Sequence, residues 1–111
     1  MDVVFQDKKF EKRCNDKKLL VRAFGPDRAN RVQRRLDDLR AATTLEDMRL
    51  LPGRCHELLQ DRAGQLSLDL DHPYRLIFEP ANSPIPRKSD GGLAWEKITA
   101  VKILGIEDTH E

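Results

Sequence analysis

Residues 65–79 read QLSLDLDHPYRLIFE, and two β-strands can be recognised in them. Leucine alternates with serine or aspartate over residues 66–71, which is the period of a strand with one buried face. His72-Pro73 interrupts the alternation, because proline fixes φ and has no N–H to donate to a strand ladder. A second alternation follows over residues 74–79. The stretch therefore predicts two consecutive strands of an antiparallel sheet.

Arg75 lies in the second of these strands, on the side opposite its apolar side chains. A guanidinium at the centre of a sheet costs free energy unless it meets an anion or a carboxylate. Arg75 is therefore the first candidate for a binding or catalytic role. The simpler alternative is an internal salt bridge to Glu79 or Asp69.

Further strands are predicted on both sides of this pair. One covers roughly residues 54–58, and a last one runs from about residue 95 to 104. Residues 80–92 contain three prolines and a double glycine, which is typical of a loop. A short apolar run at residues 3–5 predicts an edge or first strand. Residues 107–111 form a polar tail.

Helices are predicted between the first strand and the others. Asp7 is a candidate N-cap of the first helix, and Asn15-Asp16 marks the start of a second. A third helix runs over residues 26–42. Its buried stripe consists of Ala29, Val32, Leu36 and Leu39. A capping box then opens a short turn over residues 44–50.

Length and composition restrict the class of protein. The 111 residues are 39% hydrophobic and 35% charged, which fits one domain over residues 1–111. The predicted fold class is α+β, with N-terminal helices packed on a small, twisted, antiparallel sheet with a mixed edge. The net charge is only +1, but residues 1–42 hold most of the lysines and arginines. This basic half suggests a nucleic acid or an acidic protein as partner, and a solvated helical face is the plain alternative.

Cysteine usage and the absence of other motifs exclude several classes. Cys14 and Cys55 are isolated, so we predict reduced thiols rather than a disulfide framework or a zinc site. No signal peptide, bilayer-spanning segment, phosphate loop or nucleophile motif can be recognised. The expected protein is cytoplasmic, with no metal and no cofactor.

The order of elements and three motifs resemble the RelE/ParE superfamily of bacterial toxins, and specifically its HigB-type branch. The resemblance extends over essentially the whole chain and is most specific at residues 52–62, 74–79 and 108–110. It implies a RelE-like microbial RNase fold and a toxin that cuts mRNA on the ribosome. In that reaction a ribose 2′-hydroxyl attacks the adjacent phosphate, and no metal takes part.

The resemblance also implies roles for single residues. Arg75 matches the family's sheet arginine, whose fork suits the oxygens of a phosphate. His110 matches the histidine near the end of the family's chain, where it would be an acid or a base. Arg62 matches the arginine of an Asp-Arg pair and would bind phosphate or pair with Asp61. Further candidates for RNA or phosphate binding are His56, Lys97, Lys12, Arg31 and Arg35.

Two positions depart from the family pattern. Thr109 stands where the family has a tyrosine, and Leu59 stands where it has a lysine. Threonine stacks poorly on a base, and leucine cannot hold charge at a phosphorane. Loss of one acid–base group costs about 10²–10⁴ in rate. The chain would then cut slowly, use Lys97 or Lys102 instead, or have lost the reaction.

Three functional hypotheses follow. The first is an mRNA endoribonuclease that binds the 70S ribosome and mRNA. A HigA-like helix-turn-helix antitoxin would neutralise it, and it would contact operator DNA only through that antitoxin. No membrane partner is expected. It predicts that Arg75 and His110 converge in one concave basic site on the sheet. The second is a ParE-like inhibitor of DNA gyrase, whose functional surface would be the N-terminal helices. The third is a catalytically silent module that binds an antitoxin without affecting growth.

Overall fold

The computed structural model describes residues 1–108. The first half of the chain contains β1 (Asp2–Phe5), α1 (Lys8–Cys14), α2 (Lys17–Phe24), α3 (Pro26–Ala41) and a 3₁₀ turn (Leu45–Leu50). The second half contains β2 (His56–Glu57), β3 (Leu66–Asp69), β4 (Tyr74–Pro80) and β5 (Ala100–Asp108). Two further 3₁₀ turns, Gln60–Arg62 and Trp95–Lys97, precede β3 and β5.

The strands form one sheet in the order β1-β5-β4-β3-β2. Strands β2 to β5 pair antiparallel, and β1 pairs parallel to β5 at the edge. The predicted α+β class and the mixed edge are therefore confirmed. β4 lies between β3 and β5, so Arg75 is carried by an interior strand, as its sequence context predicted.

The helices begin where the sequence provides a cap. Asp7 Oδ1 accepts a hydrogen bond from the backbone N–H of Lys9 at 3.1 Å, and Asp16 Oδ1 accepts one from Lys18 at 3.0 Å. These bonds satisfy N–H groups that have no partner inside the helix. Pro26 is the first residue of α3, where its missing N–H costs nothing. No helix within residues 1–108 has the length and apolar character needed to cross a membrane.

The core lies between α3 and one face of the sheet. The predicted α3 stripe, Ala29, Val32, Leu36 and Leu39, is at most 1% exposed. It is packed in one cluster with sheet residues that alternate along their strands, namely Leu66, Leu68, Leu76, Phe78, Val101 and Ile103. Each such aliphatic or aromatic side chain contributes roughly 1.5–3 kcal/mol through burial. Because this packing covers the face of the sheet towards α3, only the opposite face is left for a functional site.

The last strand differs from its prediction at both ends. Residues 95–97 form a 3₁₀ turn, because the Trp95 ring is buried and its Nε1 donates to Glu57 Oε2 at 2.9 Å. β5 begins only at Ala100. It continues into the predicted tail because the backbone of Glu107 lies opposite Arg75 in the antiparallel ladder with β4. Two residues assigned to a polar tail therefore belong to the sheet.

The strand predicted over residues 54–58 is reduced to two residues, His56 and Glu57. Gly53 and Arg54 precede it with φ of +110° and +48°, which an extended strand cannot accommodate. At Gly53 a Cβ would lie 2.7 Å from Arg35 Nε and 3.1 Å from Leu68 Cδ2. The chain therefore passes too close to Arg35 for any other residue to fit without displacement.

Both cysteines are free thiols. Cys14 is buried and Cys55 is half-buried. Burial raises the pKa of each thiol from 9.0 to about 12. Because the thiolate is the reactive form, neither cysteine has the environment of a nucleophile.

Candidate active site on the open sheet face

The face of the sheet opposite α3 presents two rows of side chains across the strands. One row consists of His56, Ser67, Ile77 and Gly105, as the strand register requires. The next row consists of Asp69, Arg75 and Glu107. Ser67 and Ile77 are fully buried, so the middle of the first row is covered, whereas His56 at its end is half-buried and the second row carries the charges of the candidate site.

Asp69 is the centre of the charged row. Its Oδ2 accepts a hydrogen bond from Arg54 Nε at 2.6 Å, and its Oδ1 lies 3.3 Å from Arg75 Nε. Oδ1 is buried but has no hydrogen bond of good geometry within the described part of the chain. The bond to Asp69 raises the pKa of Arg54 above its usual value. The structure therefore places two guanidinium groups beside one carboxylate.

The sequence left two carboxylates, Glu79 and Asp69, as possible salt-bridge partners of Arg75, and in the structure the partner is Asp69. Glu79 pairs with Lys102 instead, with its Oε1 3.1 Å from Nζ. The Arg75 side chain is 28% exposed and its contact with Asp69 lacks hydrogen-bond geometry. The ion pair therefore positions the Arg75 side chain but leaves part of it exposed to solvent.

Arg62 reaches the same row from the turn between β2 and β3. Its Nε donates to Gln65 Oε1 at 2.7 Å, and its two terminal nitrogens donate to Glu107 at 3.0 and 2.9 Å. Glu107 belongs to β5, which is separated from β3 by β4. The turn therefore folds back over the open face, and Arg62 pairs with Glu107 rather than with Asp61.

A small pocket lies at the β3–β4 turn. It encloses about 60 Å³ and is lined by Arg54, Asp69, Leu70, His72, Pro73, Tyr74 and Arg75. Beside it, the Arg28 guanidinium stacks on the Tyr74 ring at 3.5 Å and forms a bidentate pair with Asp71. This hydrogen bond holds the pKa of Asp71 below its usual value. The Arg28 contacts therefore hold Tyr74 in place at the edge of the pocket.

His56 is held in one orientation on this face. Its Nδ1 lies 2.8 Å from the carbonyl oxygen of Arg54, so Nδ1 must carry the proton of that hydrogen bond. In the neutral ring Nε2 then keeps the lone pair, and it lies 3.4 Å from Ser67 Oγ. The Nε2 lone pair therefore faces the hydroxyl of Ser67, a fully buried residue, and can accept its hydrogen bond.

The charges of the row and of the two arginines that contact it, Arg54 and Arg62, do not cancel. Arg54, Arg62 and Arg75 face the carboxylates Asp69 and Glu107, which leaves an excess of one positive charge. Arginine forks bind phosphate oxygens in the same bidentate geometry as they bind carboxylates. The row can therefore hold an anion such as a phosphodiester.

The other sequence candidates are placed elsewhere. Lys97 precedes β5 at the end opposite Arg75, roughly 20 Å away along the strands. Lys12 lies on α1, and Arg31 pairs with Asp27 on α3 at 3.3 Å. His110 lies outside the described residues.

Arg35 is built into the fold. It is 9% exposed, its Nε donates to the backbone oxygen of Asp69 at 2.9 Å, and burial lowers its pKa. The hypothesis that Arg35 binds RNA assumed a surface side chain. In the structure it packs beneath the end of β3, because the missing side chain at Gly53 leaves room for it.

Three residues of the candidate site were not singled out from the sequence as site residues, namely Asp69 and Glu107 of the row and Arg54, which contacts it. Asp69 shares the outward period of Ser67, so the alternation of β3 carried a signal for it. Arg54 gave none, because its contact depends on a positive φ, and Glu107 meets Arg62 across 45 positions of sequence.

The arrangement of helices and sheet is found in a known structure. No protein-family model matches this sequence, and no curated protein matches it. Among solved structures, the chain is similar to one entitled the structure of YoeB dimer from Staphylococcus aureus. The TM-score is 0.55 over 100% of this chain and 98% of that chain, with 17% sequence identity. The chain has a YoeB-like fold. The RelE-type fold expected from the sequence is therefore confirmed, and the roles of individual residues rest on the geometry described above.

Proposed function

We propose that this chain is the toxin of a type II toxin–antitoxin system and that it cuts mRNA on the ribosome. The observation that carries the proposal is the cluster of Arg54, Arg62 and Arg75 around the charged row, near His56 on the open face of a YoeB-like fold. A phosphodiester in that row would meet cations at its non-bridging oxygens and an imidazole nearby. The HigB-type branch is our more specific assignment, on the sequence motifs.

The proposed reaction needs a base for the ribose 2′-hydroxyl, an acid for the leaving 5′-oxygen, and cations for the phosphorane. Arg75 is the proposed cation, because it is positioned but still exposed. Arg62 supplies a second guanidinium at the same row. His56 supplies an imidazole on this face, with its Nε2 facing Ser67 Oγ, and His110 remains the proposed acid or base from the sequence.

The substitution of leucine for the family lysine has a visible consequence. Leu59 is 77% exposed and its carbonyl accepts the backbone N–H of Arg62. An apolar side chain therefore stands beside the site where the resemblance implies a charge. The proposed activity is accordingly slower than that of a member with the lysine, by about 10²-fold or more.

The proposed partners follow from this function. They are the 70S ribosome with its mRNA and an antitoxin of the helix-turn-helix type, with operator DNA contacted only through the antitoxin. We further propose a cytoplasmic location and a reaction without metal or cofactor.

Induction in bacteria tests the proposal. The chain, Arg75→Ala, His110→Ala and the matched control Lys88→Ala are expressed, and mRNA 5′ ends are mapped by primer extension. Lys88 is an exposed residue of the loop after β4. We expect new ends within translated frames for the chain and the control, and a loss of about 10²–10³-fold for Arg75→Ala.

The other outcomes separate the competing functions. Growth arrest without new mRNA ends would identify a target such as DNA gyrase. A soluble, well-expressed chain that causes neither arrest nor cleavage would leave the antitoxin-binding module. Purified chain incubated with mRNA alone and with ribosomes then tests ribosome dependence, since cleavage without ribosomes would contradict it.

A further inference from the structure

The helical hairpin formed by α1 and α2 has a charge distribution unlike that of the rest of the molecule. Residues 8–22 contain seven basic and two acidic residues, a net charge of +5 in a chain whose total is +1. The basic residues are Lys8, Lys9, Lys12, Arg13, Lys17, Lys18 and Arg22. Among residues 1–108, none of them forms a salt bridge, although most arginines beyond α2 do.

A groove runs between the two helices of this hairpin. It encloses about 440 Å³ and is lined by Lys9, Lys12, Arg13, Leu19, Arg22 and Ala23. The lining residues recur at intervals of three and four on each helix, so each helix contributes one continuous face. We call the four cationic lining residues the rim of the groove and the two apolar ones, Leu19 and Ala23, its floor.

The groove rests on a rigid support. Phe10 of α1 contacts Phe24 of α2 with ring centroids 6.2 Å apart, and Phe5 of β1 contacts Phe10 at 6.1 Å. Arg13 lies over the Phe24 ring at 5.8 Å. These contacts fix the spacing of the helices, so the groove exists before any partner arrives and ordering costs on binding are low.

We propose that this groove is a docking site for an acidic protein segment that carries an apolar anchor. The rim supplies charge complementarity to Asp and Glu side chains, and the floor provides a surface for one buried aliphatic or aromatic side chain. A nucleic-acid backbone needs cations but gains nothing from an apolar floor, which is why the protein partner is favoured. The proposal goes beyond the nuclease function, since the groove contains no residue of the sheet site.

Fluorescence anisotropy of the purified chain tests this assignment without ribosomes, so its result is independent of whether the chain cuts RNA. The first probe is a peptide of about 12 residues, glutamate throughout except for leucines at helical spacing. The second has serine in place of leucine at the same charge, and the third is a short oligouridylate. We expect the leucine peptide to bind roughly 10-fold more tightly than the serine peptide, from burial of its anchor.

Variants assign the binding to the groove. Leu19→Ala and Ala23→Glu should each weaken leucine-peptide binding several-fold, and Lys88→Ala should not. Ala23 is exposed, so Ala23→Glu retains the fold and its effect cannot be attributed to unfolding. Equal affinity for the two peptides, or oligouridylate binding that is tighter and insensitive to Leu19→Ala, would overturn the proposal in favour of a nucleic-acid surface. Absence of binding would overturn it in favour of a solvated face.

Discussion

The open sheet face and the α1–α2 hairpin are both rich in cations, but they differ in whether those cations are paired with carboxylates. On the sheet, Arg54, Arg62 and Arg75 each meet a carboxylate. On the hairpin, no basic residue meets one within the described ranges. A paired guanidinium is fixed in position by its carboxylate, whereas an unpaired lysine has no protein counter-charge and is screened only by solvent and salt. The first arrangement suits chemistry and the second suits attraction.

The difference also has an energetic side. A guanidinium that is partly buried must keep its counter-charge, since an uncompensated charge there is costly. Exposed lysines are solvated, so their pairing or removal changes stability little. Removing one charge from the sheet site should therefore lower the free energy of unfolding more than removing one charge from the hairpin.

Asp69→Asn should produce the largest effect. It removes the counter-charge of Arg75, whose side chain is only 28% exposed, and should destabilise the fold by about 1–3 kcal/mol. Urea denaturation measures this against Asp37→Asn, an exposed aspartate of α3 that should change stability by no more than about 0.5 kcal/mol. Equal midpoints for the two variants would show that the sheet pairs are not structural.

Asp71→Asn should have an intermediate effect that depends on pH. The Arg28 hydrogen bond lowers the pKa of folded Asp71 below its unfolded value of 3.8. The pair therefore stabilises the fold above that unfolded pKa, and its contribution is lost as pH falls through the folded pKa. Unfolding free energies from pH 7 downward should show a difference of about 1 kcal/mol that shrinks below roughly pH 4. A difference independent of pH would remove the ion pair as its cause.

Lys12→Ala should have the smallest effect on stability. Among residues 1–108 Lys12 forms no salt bridge, and it lies near like charges on the hairpin, so the change should stay within about 0.5 kcal/mol and can be slightly stabilising. Thermal unfolding in low and high salt checks this. A loss of more than 1 kcal/mol would mean that the lysine is structural and that the comparison between the two regions fails.

The sequence was sufficient where structure depends on neighbouring residues. The caps at Asp7 and Asp16, the α3 stripe and the alternation around Arg75 all follow from local chemistry, and the structure contains each of them. Local chemistry did not decide, however, whether Asp69 or Glu79 is the partner of Arg75. Both lie on the same face, and only the strand register brings Asp69 opposite Arg75.

The remaining features depend on contacts between distant segments. The predicted start of the last strand was wrong because the hydrogen bond between Trp95 and Glu57 joins residues 38 positions apart. The pair of Arg62 and Glu107 spans a similar separation. The period of a strand gives the face on which a side chain lies, but it does not give the segment that folds across that face.

The close approach of Gly53 to Arg35 makes the site vulnerable from a position outside it. A side chain at residue 53 would displace Arg35, whose Nε holds the carbonyl of Asp69, the residue that positions Arg54 and Arg75. If the chain is toxic as proposed, a genetic selection for cells that survive its expression should therefore recover escape mutations at codon 53. Such mutants would carry every proposed active-site residue intact.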